Sequence, residues 1–134
     1  MKLGPRAAAH AQEYAQLLDD INAGVRLHYA SDGTDADLDL LLGDQRYAHG
    51  LLRLAELGDL EATIELGDLI SLLSQAHAAG DAALADAIWQ AGVAAVGWGT
   101  NEQLESAKNL ARAGNPDAAE ALLAAAAAIT EGSS

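Results

Sequence analysis

Apolar positions recur along the first part of the chain at the spacing of an α-helix. The residues that share this face are Ala7, Ala11, Tyr14, Leu18, Ile21, Val25 and His28, with gaps that alternate between four and three. This spacing predicts an amphipathic helix over residues 5–30. Ser, Asp, Gly and Thr at positions 31–34 favour a turn, and Thr34 is the predicted N-cap of a second helix.

The later helix boundaries are marked by a glycine followed by a capping side chain. Gly58-Asp59, Gly80-Asp81 and the segment 114–117 each combine a residue that ends helices with one that begins them. Thr100 and Gln103 predict a capping box. Helices are thus predicted over residues 5–30, 34–57, 59–79, 81–97, 101–113 and 116–130. No stretch alternates like a β-strand, so we predict an all-α fold: one domain over residues 1–134, a bundle of about six antiparallel helices with short connections.

The second predicted helix is apolar on almost every side, and a helix of this kind is normally buried. We therefore expect it to be the central helix of the bundle. One polar stripe crosses it, formed by Gln45, His49, Arg53 and Glu56.

Several glycines lie inside predicted helices, where each costs about 1 kcal/mol relative to alanine. They are Gly24, Gly43, Gly50, Gly67 and Gly92. We interpret them as points where another helix approaches closely, with close approach of a ligand as the alternative.

Composition narrows the classes of function. The chain has 134 residues, seven Lys+Arg and twenty Asp+Glu, and a formal net charge of −13. This acidity disfavours nucleic acid and anionic membrane surfaces, so neither is expected as a partner. No apolar run is long enough to span a membrane and no signal-peptide pattern is present, so we expect a cytoplasmic protein. The absence of cysteine excludes disulfides and thiolate chemistry, and the 32 alanines indicate close helix packing.

Few residues are candidates for catalysis or metal binding. Asp19 and Asp20 are weak candidates for Mg²⁺, because carboxylate oxygens are ligands of this ion. Both lie off the apolar face of the first helix, which favours a solvated position instead. His49 on the polar stripe, with Asp44 near it, is the candidate general base. We expect exposed helix faces for the other charged clusters, which contain Glu61, Glu65, Asp68 and Lys108.

A ligand pocket is expected where large side chains or gaps interrupt the alanine-rich packing. Trp89 and Trp98 are the largest side chains available for this purpose. We expect core positions for both, with a place in a ligand pocket as the alternative. The full set of candidate pocket residues is Gly43, Tyr47, Gly50, Arg53, Trp89 and Trp98. No cofactor motif is present, so no cofactor is predicted, and the sequence leaves Mg²⁺ and heme open.

The segment Leu40–Leu52, which reads LLLGDQRYAHGLL, is followed by Leu54-Ala55-Glu56-Leu57-Gly58-Asp59. Together they resemble the central helix pair of the all-α polyprenyl diphosphate synthases. Leu17-Leu18-Asp19-Asp20-Ile21 is similar to the first Asp-rich motif of that family. The resemblance spans residues 17–80 and extends to the non-catalytic small subunit of heptaprenyl diphosphate synthase.

This resemblance implies a helical scaffold, a partner subunit or an apolar groove for an isoprenoid tail. The family's second Asp-rich motif and its Arg-Arg-Gly sequence have no counterpart here. Prenyl transfer by this chain alone is therefore not expected.

The sequence as a whole predicts a non-catalytic helical protein that acts by binding. Its ligand is either a protein partner, which includes a second copy of the chain, or an apolar small molecule between helices. An accessory subunit of the isoprenoid-synthase type is the specific form of this prediction. The alternative is an engineered or evolved helical-bundle enzyme or cofactor-binding protein, with a pocket around His49, Tyr47 and the helix glycines.

Overall fold

A computed structural model describes residues 10–29 and 36–131 and confirms the all-α prediction. Six helices are present in the described part of the chain: α1 (Ala11–Tyr29), α2 (Ala36–Leu57), α3 (Leu60–Ala78), α4 (Ala82–Trp98), α5 (Glu102–Arg112) and α6 (Ala118–Glu131). The predicted start of the first helix and the predicted cap at Thr34 lie outside the described residues. Among the described helices, none combines the length and the apolarity needed to cross a membrane.

The helix boundaries after α2 follow local signals in the sequence. Gly58 and Gly80 have φ angles of 72° and 69°, which end a helix at low cost only in glycine. The carboxylates of Asp59 and Asp81 then accept hydrogen bonds from backbone N–H groups in the first turns of α3 and α4, each at 3.0 Å. These predicted caps are confirmed.

The start of α5 differs from the prediction. Asn101, and not Thr100, is the N-cap, and its Oδ1 accepts a hydrogen bond from the Leu104 backbone N–H at 2.8 Å. The Thr100 hydroxyl instead donates to the Glu105 carboxylate at 3.1 Å. The predicted capping box of Thr100 and Gln103 is therefore wrong. Asn101, which follows Thr100 and is an equally good capping residue, is the N-cap instead.

The six helices form two packed groups. α1 lies along α2 as a helical hairpin, and α4 lies between α3 and α6 in a group completed by α5. α2 and α3 contact each other less than α1 and α2 do. The hydroxyl group of Tyr14 in α1 donates a hydrogen bond to the carboxylate of Asp59, the residue that caps α3, and so joins the two groups.

The most buried helix is α4, and the prediction that α2 is central is wrong. Ten residues of α4 are buried, and seven of them are alanine or glycine. α2 buries one face against α1 and leaves leucines on its other faces exposed, because no described helix covers them. The exposed leucines of α2 are Leu38, Leu40, Leu41, Leu42 and Leu52. The apolar composition of α2 is compatible with burial, but it does not determine around which helix the other helices pack.

Two glycines allow α1 and α2 to approach each other closely. A Cβ atom on Gly24 would lie 2.7 Å from the ring of Tyr47, and one on Gly50 would lie 2.8 Å from Cδ1 of Ile21. Close approach is thus confirmed at both positions. The prediction of close approach is wrong for Gly67 in α3, where an added Cβ would meet no atom within 4 Å.

We expect opposite effects when alanine replaces Gly67 and Gly50. Gly67→Ala raises the free energy of unfolding by about 1 kcal/mol, because alanine is the better helix former and the site is open. Gly50→Ala lowers it by about 1–3 kcal/mol, because the new methyl group overlaps Ile21. Urea unfolding followed by circular dichroism measures both values. Shifts in the same direction would contradict this account of the α1–α2 contact.

Candidate functional site

The main candidate site is a groove between the C-terminal halves of α4 and α6, with a volume of about 710 Å³. Trp89, Trp98 and Leu123 are its largest side chains, and all three are partly exposed. The remaining lining residues are Gln90, Val93, Ala94, Ala126, Ala127, Thr130 and Glu131. The groove is thus mainly apolar, with three polar side chains.

The connectivity of the helices explains why the two C-terminal halves meet. Lys108 bonds to Asp68 and Gln75 bonds to the carbonyl of Ala111, so α5 runs in the same direction as α3. The short connections at residues 79–81 and 113–117 make α4 antiparallel to α3 and α6 antiparallel to α5, so α4 and α6 are parallel to one another. The α4 wall carries two indole rings, whereas alanines occupy the middle of the α6 wall. Alanine side chains are too short to fill the space opposite the indoles, so the groove stays open.

The charges of the groove walls have one sign. Neither α4 nor α6 contains a lysine, arginine or histidine. Their charged residues are Asp86, Glu120 and Glu131, and Glu131 lines the groove.

The sequence named both tryptophans as pocket candidates, and the structure brings them together in this groove. It also shows the α6 wall, which the sequence reasoning missed. Positions 123, 126, 127 and 130 have the spacing of one helix face. This spacing could have identified the wall. However, alanine occurs on every side of α6, so the sequence did not show which face a ligand could reach.

A second candidate site joins α1 to α2 through Asp20 and His49. The Asp20 carboxylate is buried, and its Oδ2 lies 2.7 Å from Nδ1 of His49. Its Oδ1 accepts a hydrogen bond from Arg46 at 3.0 Å. A carboxylate in this position favours the proton on Nδ1 and leaves Nε2 as the proton-accepting nitrogen. His49 is half exposed, so this nitrogen can serve as a base, but His49 does not line the α4–α6 groove.

The expected solvated position holds for Asp19 and is wrong for Asp20. Residue 20 lies three positions after Leu17 and four before Gly24, both of which are buried. It therefore faces α2, where Arg46 and His49 offset the cost of burying its charge. Among the described residues, no group of three or more His, Asp or Glu side chains is arranged to hold a metal ion.

The other candidates on α2 do not surround an open pocket. The ring of Tyr47 fills the space beside Gly24, the backbone oxygen of Gly43 is close to the same point, and Ile21 closes the space beside Gly50. Asp44 is exposed. Arg53 is half buried and donates to Gln16 at 3.3 Å. Gly24 and Gly50 thus allow close contact between α1 and α2, and this is the close approach of another helix that the sequence predicted.

A buried charged cluster links α3 to α5. Lys108 and Glu65 are each about 4% exposed, and the Lys108 ammonium donates to the Glu65 carboxylate at 2.5 Å. It also donates to Asp68 at 3.0 Å and to Glu105 at 3.1 Å. The expectation of exposed faces is therefore wrong for Lys108 and Glu65, and it is confirmed for Glu61. Glu65 and Asp68 are about 40 positions from Lys108 in the sequence, so no local pattern revealed their pairing with it.

Burial and pairing act in opposite directions on these two groups. Burial is the largest influence on Lys108 and lowers its pKa, but its hydrogen bonds with Glu65 and Asp68 and the charges around it leave the pKa above the ordinary 10.5. Burial is also the largest influence on Glu65 and raises its pKa above 4.5, against the hydrogen bond from Lys108. Lys108 thus stabilises the fold fully below pH 10.5, and this contribution is lost as the pH rises through its pKa in the folded protein. The contribution of Glu65 is largest in acid and falls as its carboxyl ionises.

Comparisons of the chain with protein-family models, with curated proteins and with solved structures find no match.

We expect Lys108→Met to lower the free energy of unfolding by about 3–5 kcal/mol at neutral pH, because it leaves the Glu65 carboxylate buried without a counter-charge. The double variant Lys108→Met/Glu65→Leu should recover most of this loss, because two apolar side chains then replace the buried pair. Urea unfolding at pH 7 measures both. In the same experiment above pH 10.5, the difference between the native chain and Lys108→Met should shrink. A loss that the double variant retains, or that does not change with pH, would contradict the pairing.

Proposed function

We propose that this protein binds an apolar small molecule in the groove between α4 and α6. One observation carries the proposal: both tryptophans of the chain line a single groove of about 710 Å³ whose other walls are mainly apolar. Ligand sites in proteins commonly measure about 300–1,000 Å³, with apolar walls and a few polar groups.

The groove lies outside residues 17–80, the part that resembles the polyprenyl diphosphate synthases. An isoprenoid chain suits its apolar walls. A diphosphate does not, because neither α4 nor α6 supplies a cationic side chain to hold it. The proposed ligand is therefore apolar without an anionic group, and an accessory role in prenyl metabolism receives no support from this site.

The fluorescent probe N-phenyl-1-naphthylamine tests the proposal, because it is apolar, aromatic and uncharged at neutral pH. Only two tryptophans are present and both line the groove, so energy transfer from tryptophan to the probe reports binding at this place. We expect saturable binding with one probe per chain. Ala127→Phe should weaken it about tenfold, because the added ring occupies part of the groove.

Ala128→Phe is the matched control, since Ala128 is the neighbouring residue of α6, is exposed and does not line the groove. It should bind the probe like the native chain. Non-saturable binding, or an equal loss in both variants, would refute the proposed site.

The exposed leucines of α2 favour a second candidate function, binding to another helix. Leu41 and Leu52 are 56% and 57% exposed, and an extended apolar face of this kind is typical of an interaction surface. We propose a second copy of the chain as the partner. In a two-fold dimer with antiparallel α2 helices, Leu41 of one copy would face Leu52 of the other, so the exposed leucines would cover each other.

Sedimentation velocity over a range of protein concentrations tests this association. We expect a dimer that Leu41→Glu/Leu52→Glu converts to a monomer, because the new carboxylates would be buried in the interface. Leu60→Glu is the control, since Leu60 is 73% exposed but belongs to α3. A native chain that remains monomeric at every concentration would exclude the second candidate function.

A further inference from the structure

The geometry and charge of the α4–α6 groove point to selection of an apolar cation, an aromatic or alkyl-substituted ammonium or phosphonium ion, over an anion of the same size. This inference rests on the proposed function and specifies the chemical class of the ligand. Three features of the described residues support it: the indole rings, the sign of the surrounding charge and the direction of the helix dipoles.

The indole rings supply the contact that distinguishes a cation from a neutral ligand. Trp89 and Trp98 are both half buried and both line the groove. The face of an indole ring is negative, and it attracts cations more strongly than the rings of tyrosine or phenylalanine do. Sites that bind quaternary ammonium groups use aromatic walls for this reason.

Charge in this part of the molecule is negative over a long stretch of sequence. No lysine, arginine or histidine occurs in residues 78–107 or 113–131, whereas Glu131 lines the groove itself. The nearest lysine and the nearest arginine in the sequence are already paired. Lys108 is buried among three carboxylates, and Arg112 lies 3.4 Å from Asp68. An anion in the groove would therefore have no counter-charge from its walls.

The helix dipoles act in the same direction. α4 and α6 are parallel, and their final residues, Trp98 and Glu131, both line the groove. The last turn of a helix carries a partial negative charge from its carbonyl groups. The N-terminus of α5, whose partial charge is positive, follows α4 closely, but Glu102 and Glu105 occupy its first turn. The net field at this end of the groove favours a cation.

Tetraphenylphosphonium and tetraphenylborate test the inference, because they are nearly identical in shape and opposite in charge. Tryptophan fluorescence and isothermal titration calorimetry give their dissociation constants. We expect the cation to bind at least about tenfold more tightly than the anion, and its affinity to fall as salt is added. Glu131→Gln should weaken binding of the cation about threefold, the size of effect expected for an exposed charge.

Glu120→Gln is the matched control, because Glu120 is an exposed glutamate of α6 that does not line the groove. It should bind both ions like the native chain. Equal binding of the two ions, or tighter binding of the anion, would overturn the charge selection while probe binding still upheld the proposed function. Failure of the cation, the anion and the neutral probe to bind would overturn both.

Discussion

Close approach between helices is the constraint on which the rest of this structure depends. α4 can lie between α3 and α6 because most of its buried residues are alanine or glycine, and a Cβ on Gly92 would lie only 2.8 Å from Leu69. Packing this close leaves little room for large side chains in the interior. The two indoles of α4 therefore lie at its margin, where the alanines of α6 leave the groove open. The groove and the tight core thus have the same cause.

Charge inside the bundle holds together helices that have little contact otherwise. α3 and α5 share few contacts, yet Lys108 of α5 reaches Glu65 and Asp68 of α3. Asp20 adds a charged contact between α1 and α2, which already pack closely, by accepting from Arg46 and pairing with His49. In both places the burial of one charged group is tolerated because several partners converge on it. These interactions specify how the helices align, whereas apolar packing supplies most of the stability.

The sequence predicted the features that depend on residues close together in the chain. Helix ends at Gly58 and Gly80 and caps at Asp59 and Asp81 agree with the structure because each signal acts within a few residues. Properties that depend on distant partners were not accessible in this way. The way in which the helices cover one another determines that α4 is central and that Lys108 and Asp20 are buried. The groove was predicted in part, because the size of the two tryptophans made them candidates for a pocket. Its α6 wall was not predicted, because it depends on the parallel arrangement of α4 and α6.

The bond between Tyr14 and Asp59 has a consequence for how the molecule opens. α1 and α2 contact each other extensively, whereas α2 contacts α3 much less, and the Tyr14–Asp59 bond is a further link between the hairpin and α3. Regions joined by few contacts unfold as separate cooperative units. We therefore expect amide protons of α1 and α2 to exchange with solvent through an opening that leaves α3–α6 folded. The expected boundary between the two units lies at residues 58–59, so the hairpin would open without disturbing the groove.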